Sequence, residues 1–174
     1  MKTIITLLMA GTIAAIAAPV EAQTKRSIAY NSLAANSKFT EQHALDVGDV
    51  PGHQVRIYEH HRTFPTDPPI FDGVRVTDIW NRAHSDYTNL NGRAWGYSTY
   101  ALENGEKVFA RYDGTTHTML ASDGSRKTTF VGLIVLTGGT GKFRGIRGLI
   151  RTTSVFDPKA NISETRDEGE YWIE

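Results

Sequence analysis

The chain contains no cysteine. That excludes disulfides, thiolate nucleophiles and Cys-ligated zinc or iron–sulfur clusters. It also has no surplus of charge, since 19 Lys and Arg meet 19 Asp and Glu for a formal net charge of zero. A nucleic-acid groove needs clustered cations to neutralise phosphates, and a membrane-surface patch needs the same, so neither partner is expected. No Gly-Lys-Ser/Thr phosphate loop and no Gly-x-Ser-x-Gly nucleophile elbow occurs. Of the six histidines, His60 and His61 are adjacent and point to opposite faces of a strand, while His43, His53, His84 and His117 are scattered without ligand spacing. No metal and no other cofactor is expected. What the chain does have is 40% hydrophobic and 22% charged residues over 174 positions, enough to bury the core of one domain.

The first 22 residues differ from the rest. Met1-Lys2 precedes an apolar stretch from Ile4 to Ala18, and Val20-Glu21-Ala22 follows. A charged start, a short apolar middle and small residues at a cleavage site describe a secretory signal cut near Ala22. The apolar stretch is shorter than the roughly 20 residues that span a bilayer, so no stable membrane anchor is expected. The expected organisation is a leader over 1–22, an N-terminal arm with a possible first strand over 23–50, and one β-barrel domain over 51–174. The mature protein is expected to be secreted or periplasmic.

From Gln54 onward the hydrophobic pattern has period two, the signature of half-buried strands. Runs over Gln54–Arg62, Val74–Arg82, Arg93–Leu102, Lys107–Leu120, Lys127–Leu136, Ile146–Phe156 and Thr165–Ile173 alternate with turn signals. Those signals are Asn91-Gly92, Asn104-Gly105, Asp123-Gly124 and Asp157-Pro158. Seven or eight long strands joined by hairpins predict an all-β protein. A closed antiparallel up-and-down barrel of about eight strands is favoured over a sandwich, because closure removes exposed edges.

Gly138-Gly139-Thr140-Gly141-Lys142-Phe143, followed by Gly148, ends one strand and enters the next. The glycines permit unusual backbone angles at a corner, and Phe143 can plug it. This element resembles the Gly-Gly-x-Gly-x-Phe-x-x-x-x-Gly corner of the barrel shared by allene oxide cyclases and dirigent proteins. Tyr58-Glu59 is similar to the Tyr-Glu of an early strand in the cyclase branch, where a barrel-lining glutamate, an asparagine two residues on and a loop proline match Glu59, His61 and Pro68. The resemblance implies a cofactor-independent cyclase or isomerase acting on an apolar small molecule. A non-catalytic carrier of an apolar ligand and a structural oligomer without cavity function are the alternatives.

Glu59 shares a strand face with Val55 and Ile57, and His61 follows it on the same face. If that face lines the barrel, burial disfavours the carboxylate and suits it to general acid–base work. Otherwise Glu59 pairs with a cation at the barrel mouth. Asp78 and Trp80, in line with Val74 and Val76, form a second inward candidate on the same logic, with Asp78 alternatively a buried acceptor for backbone or tyrosine donors. Tyr97 and Tyr112 either close the cavity or, as is commoner for a tyrosine, pack in the core, and Arg147 either enters the cavity or pairs outside. Residues 128–136 are apolar on both faces, with Val131, Leu133 and Val135 opposite Phe130, Ile134 and Leu136. One set needs a cover, either a second subunit or the N-terminal arm. A homodimer or homotrimer is expected.

Overall fold

The computed structural model describes residues 23–157 and 162–174. The expected leader lies outside the described residues, as does Pro158 of the Asp157-Pro158 turn. Ten strands account for most of the described residues: β1 Arg26–Leu33, β2 Ser37–Asp46, β3 His53–Thr63, β4 Ile70–Phe71, β5 Val74–Thr88, β6 Asn91–Leu102, β7 Lys107–Leu120, β8 Arg126–Gly139, β9 Ile146–Asp157 and β10 Ile162–Ile173. They form one antiparallel sheet in the order β1-β10-β9-β8-β7-β6-β5-β3-β2, with β4 paired beside β5.

The seven strands predicted from period two all form. The arm of residues 23–50 supplies two more, placed at the two edges of the sheet. One turn sits earlier than expected. Asn89 and Leu90 take positive φ (52° and 64°) and make the β5–β6 hairpin, while Asn91 and Gly92 already belong to β6.

Side chains alternate between a concave and a convex face. Val76, Ile79, Asn81, Ala83 and Ser85 of β5 point inward and are buried. The register shift between Val76 and Asp78 inserts one extra residue, Thr77, against β6. A single bulged residue inverts the parity of everything after it. Asp78 and Trp80 therefore face outward, although period two counted from Val76 predicts them inward.

The concave face curls round an interior. Arg62 Nη1 of β3 lies 3.9 Å from Asp167 of β10, six ladders away along the sheet. β1 and β2, the two edges, are joined by the three-residue 3₁₀ turn Ala34–Asn36, where the Ser37 hydroxyl donates to the Leu33 carbonyl at 3.2 Å. No ladder links β1 to β2, so the sheet is open along that seam.

One end of the interior is packed solid. Phe71, Val108, Leu136, Phe143 and Ile146 are buried there, and Phe71 meets Tyr100, Phe143 and Tyr171 edge to face. Each such side chain contributes roughly 1.5–3 kcal/mol on burial. The glycine element supplies this plug. Gly138 and Gly141 take φ of 149° and 54°, a Cβ on Gly139 would run into the Lys107 carbonyl, and Phe143 has 0% of its surface exposed.

On the convex side Val131, Leu133 and Leu149 stand exposed, while Ile134 and Leu136 fill the interior. The arm does not cover this stripe, because β1 and β2 pair at the edges instead.

Candidate functional site

β3 carries most of the candidate chemistry, and its two faces are reversed from the sequence expectation. Arg56, Tyr58, His60 and Arg62 point into the interior; Val55 and Ile57 are exposed outside, and Glu59 and His61 share their face. The expectation weighted the two aliphatics. Phe64, buried and of the same parity as Arg56–Arg62, is the residue that marks the inward face.

The inward residues surround a cavity of about 320 Å³ above the plug. Its walls include Ile79, Ala94, Tyr112, Phe130 and Ile134. The Phe130 ring lies over Gly114 and Gly132, where any Cβ would strike it or the adjoining backbone. Two tyrosine pairs cross the interior: Tyr58 and Tyr112 share a hydrogen bond of 3.2 Å, and Tyr30 and Tyr100 one of 3.1 Å. Burial pushes all four phenols up, so they are neutral hydrogen-bonding groups at pH 7. His60 is pushed down to about 3, first by burial and then by the Arg62 and His61 charges. It too is neutral at pH 7, and so weak a base is a poor proton acceptor.

Asp167 lies beneath the cavity with none of its surface exposed, and burial raises its carboxyl against the opposing pull of Arg62. The Thr152 and Tyr30 hydroxyls stand beside it, yet neither of its oxygens has a partner of good hydrogen-bond geometry. Asn81 Oδ1, in the cavity wall, is also buried without a partner. Buried polar groups are seldom left orphaned, and orphans beside a cavity mark places where a ligand or water completes the bonding.

The remaining candidates lie elsewhere. Glu59 is on the convex face, where its carboxylate receives Arg82 Nη2–H at 2.7 Å and the Thr40 hydroxyl at 2.7 Å. This is the cation-paired alternative, placed outside rather than at the mouth. His61, Asp78 and Trp80 do come together, but outside: His61 Nε2 lies 2.7 Å from Asp78 Oδ1, and its ring stacks on Trp80 at 3.9 Å. Tyr97 is 71% exposed on the same convex face, whereas Tyr112 is in the cavity wall as expected. Pro68 edges a shallow groove with Arg75 and Glu103, away from the cavity. Arg147 does not enter the interior. It donates to the Thr137 and Ile146 carbonyls and lies 3.5 Å from the Glu174 carboxylate, holding the corner that ends at Gly148.

Arg56, Tyr58, His60, Arg62 and Asp167 are thus interior residues that period two alone did not select. Among the described residues no three His, Asp or Glu side chains group as a metal site, and no helix is long and apolar enough to cross a membrane. Comparison with known proteins adds no identity to this geometry: no protein family, no curated protein and no solved structure matches the chain.

Proposed function

We propose that this chain is an exported barrel of the allene oxide cyclase and dirigent-like kind that binds one mostly apolar small molecule in its interior. The observation that carries the reading is the cavity of about 320 Å³, walled by Tyr58, Tyr112, Phe130 and Ile134 above a solid apolar plug. Small-molecule sites are concave, largely apolar and furnished with a few placed polar groups, and this interior has that make-up. Working closure as a barrel is supported by the three-residue link between the edge strands and by the approach of Arg62 to Asp167 across the interior. The superfamily assignment rests on the glycine corner from Gly138 to Gly148 and on Tyr58-Glu59, and export rests on the leader-like residues 1–22.

Binding of the neutral dye N-phenyl-1-naphthylamine tests the cavity. One saturable site per chain is expected, lost when Ala94→Phe fills the space. Absence of saturable binding, or undiminished binding to a folded Ala94→Phe protein, overturns the reading.

Cofactor-free cyclisation or isomerisation in the same cavity is a second reading, favoured by the Tyr58–Tyr112 pair. Two neutral phenols in a water-poor cavity can stabilise a developing oxyanion while the walls hold one conformer. Under this reading Tyr112→Phe loses turnover and retains affinity, while Glu59→Gln, altered on the convex face, retains both. The exposed Val131, Leu133 and Leu149 support a homodimer or homotrimer joined through the convex face.

A further inference from the structure

The cavity widens upward into a second chamber of about 440 Å³, bounded by the same Tyr58, His60 and Phe130. This mouth straddles the open seam, with Ser32 from one edge strand and Lys38 and Phe39 from the other. Its charge differs from that of the walls below. Arg56 gives one N–H to the Gln42 amide oxygen at 2.9 Å, and its guanidinium lies over the Phe39 and Tyr58 rings at 6.0 and 5.6 Å. Its Nε is buried without a partner, and so is the hydroxyl of Ser32, a residue only 4% exposed.

Among the described residues neither Arg56 nor Lys38 is in an ion pair, whereas Arg26, Arg62, Arg82, Arg93 and Lys142 each face a carboxylate. Among the described residues the single carboxylate at the mouth is Glu164, exposed on the rim. Two cations against one carboxylate leave the chamber net positive, and neutral His60 adds no charge. A buried donor without an acceptor costs roughly 1–3 kcal/mol. Orphan donors from Arg56 and Ser32, in a chamber with unpaired cations, fit an acceptor that carries negative charge. Around them stand the rings of Phe39, Phe130 and Phe156.

Resting on the cavity reading above, we propose that the ligand is an organic anion with an aromatic body. Its anionic head is held by Arg56 and Ser32 with Lys38 at the rim, and its ring lies among Phe39, Phe130 and Phe156. Because Ser32 and Lys38 belong to opposite edges, the head ties β1 to β2 across the seam.

Two dyes of one skeleton test this: 8-anilinonaphthalene-1-sulfonate and the neutral N-phenyl-1-naphthylamine, titrated into the full chain by fluorescence. The sulfonate is expected to bind roughly tenfold more tightly than its neutral counterpart, as a charge-assisted hydrogen bond predicts. Arg56→Gln is expected to remove that advantage and leave the neutral dye within about twofold, by the same arithmetic. Lys38→Gln, on an exposed edge strand, provides the check if Arg56→Gln does not fold; it is expected to weaken the sulfonate alone, and added salt is expected to do the same. Equal affinities for the two dyes, or equal losses of both in either folded variant, overturn the anion site and leave the cavity standing. Failure of the neutral dye to bind overturns the cavity reading itself.

Discussion

Replacing Phe143 by alanine tests whether the glycine corner works as a plug. The ring has 0% of its surface exposed, lies edge to face against Phe71 at 6.5 Å, and is covered by the Lys142 ammonium at 5.1 Å. Its transfer out of water contributes up to roughly 3 kcal/mol. The void left behind adds a further cost, because both its backbone and its neighbours are fixed. Phe143 N donates to the Thr140 carbonyl at 3.0 Å, and the Gly139 backbone packs against the Phe143 side chain. The expected loss is about 4 kcal/mol, within the ~3–5 kcal/mol found for buried aromatic-to-alanine changes. For a domain of this size that lowers the melting temperature by roughly 8–16 °C. Equilibrium urea unfolding followed by both tryptophan fluorescence and circular dichroism gives the measurement, and coincident curves justify the two-state treatment. Phe143→Leu, which refills part of the space, is expected to lose less than half as much. A loss below about 1.5 kcal/mol for the alanine variant would refute the plug, since an aromatic side chain in a yielding, peripheral site costs that little.

His53 bridges Asp49 at 2.6 Å and Asp86 at 2.8 Å, and these partners raise its pKa above the ordinary value, the Asp86 bond foremost. Its stabilisation is therefore full below the unfolded value near 6.5 and lost as pH rises through the folded one; the wild-type advantage over His53→Gln in urea midpoint should be present at pH 5.5 and gone by pH 9, and a constant difference would contradict this. Asp167 is the opposite case, its carboxyl raised by burial, so the folded state favours the protonated form and loses stability as pH climbs above the ordinary carboxylate range. The stability of Asp167→Asn relative to wild type should accordingly improve from pH 4 to pH 8, whatever its offset from leaving Arg62 without a carboxylate; an unchanged difference would show that folding does not shift the Asp167 carboxyl. Leu133→Glu on the convex stripe should shift the light-scattering mass of a dimer or trimer to that of one chain without lowering the melting temperature of the chain itself, and a wild-type mass already equal to one chain would remove the oligomer.

Strand positions were legible in the sequence because period-two runs bounded by Asn-Gly and Asp-Gly leave little freedom. Lys107–Leu120 agrees at both ends, and Asp123-Gly124 turns where it should. Face assignment was less legible, for two physical reasons. In β5 the extra residue Thr77 reverses the parity between Val76 and Asp78, and nothing in the local residue types announces it. In β3 both faces are amphipathic, and the inward face is set by the Tyr58 ring and buried Phe64 while Val55 and Ile57 are left exposed. Glu59 and His61 consequently fell on the wrong side of the sheet. Residues 23–50 were expected to hold one possible strand and hold two: β1 alternates through Ile28, Tyr30 and Ser32, whereas β2 is exposed on both faces and shows no alternation to detect. Tyr112 and Phe143 face the interior where simple alternation within Lys107–Leu120 and the glycine spacing place them, because neither position is counted across the β5 bulge.

The pairing of β1 with β10 sets a timetable. Arg26 lies opposite Tyr171 and Leu33 opposite Glu164, so this ladder joins residues that leave the ribosome 131 to 145 positions apart. At roughly 5–20 residues per second, β1 waits on the order of 7–30 s for its partner to exist. During that interval Ile28 and Tyr30 have no neighbouring strand to bury them on one side, and the meander from β3 to β9 lacks its final cover. Contacts of such long range also close slowly once available, because the loop entropy precedes any reward. The ladder between β1 and β10 is therefore made last, after the hairpins from β5 to β9, whose partners are adjacent in the chain.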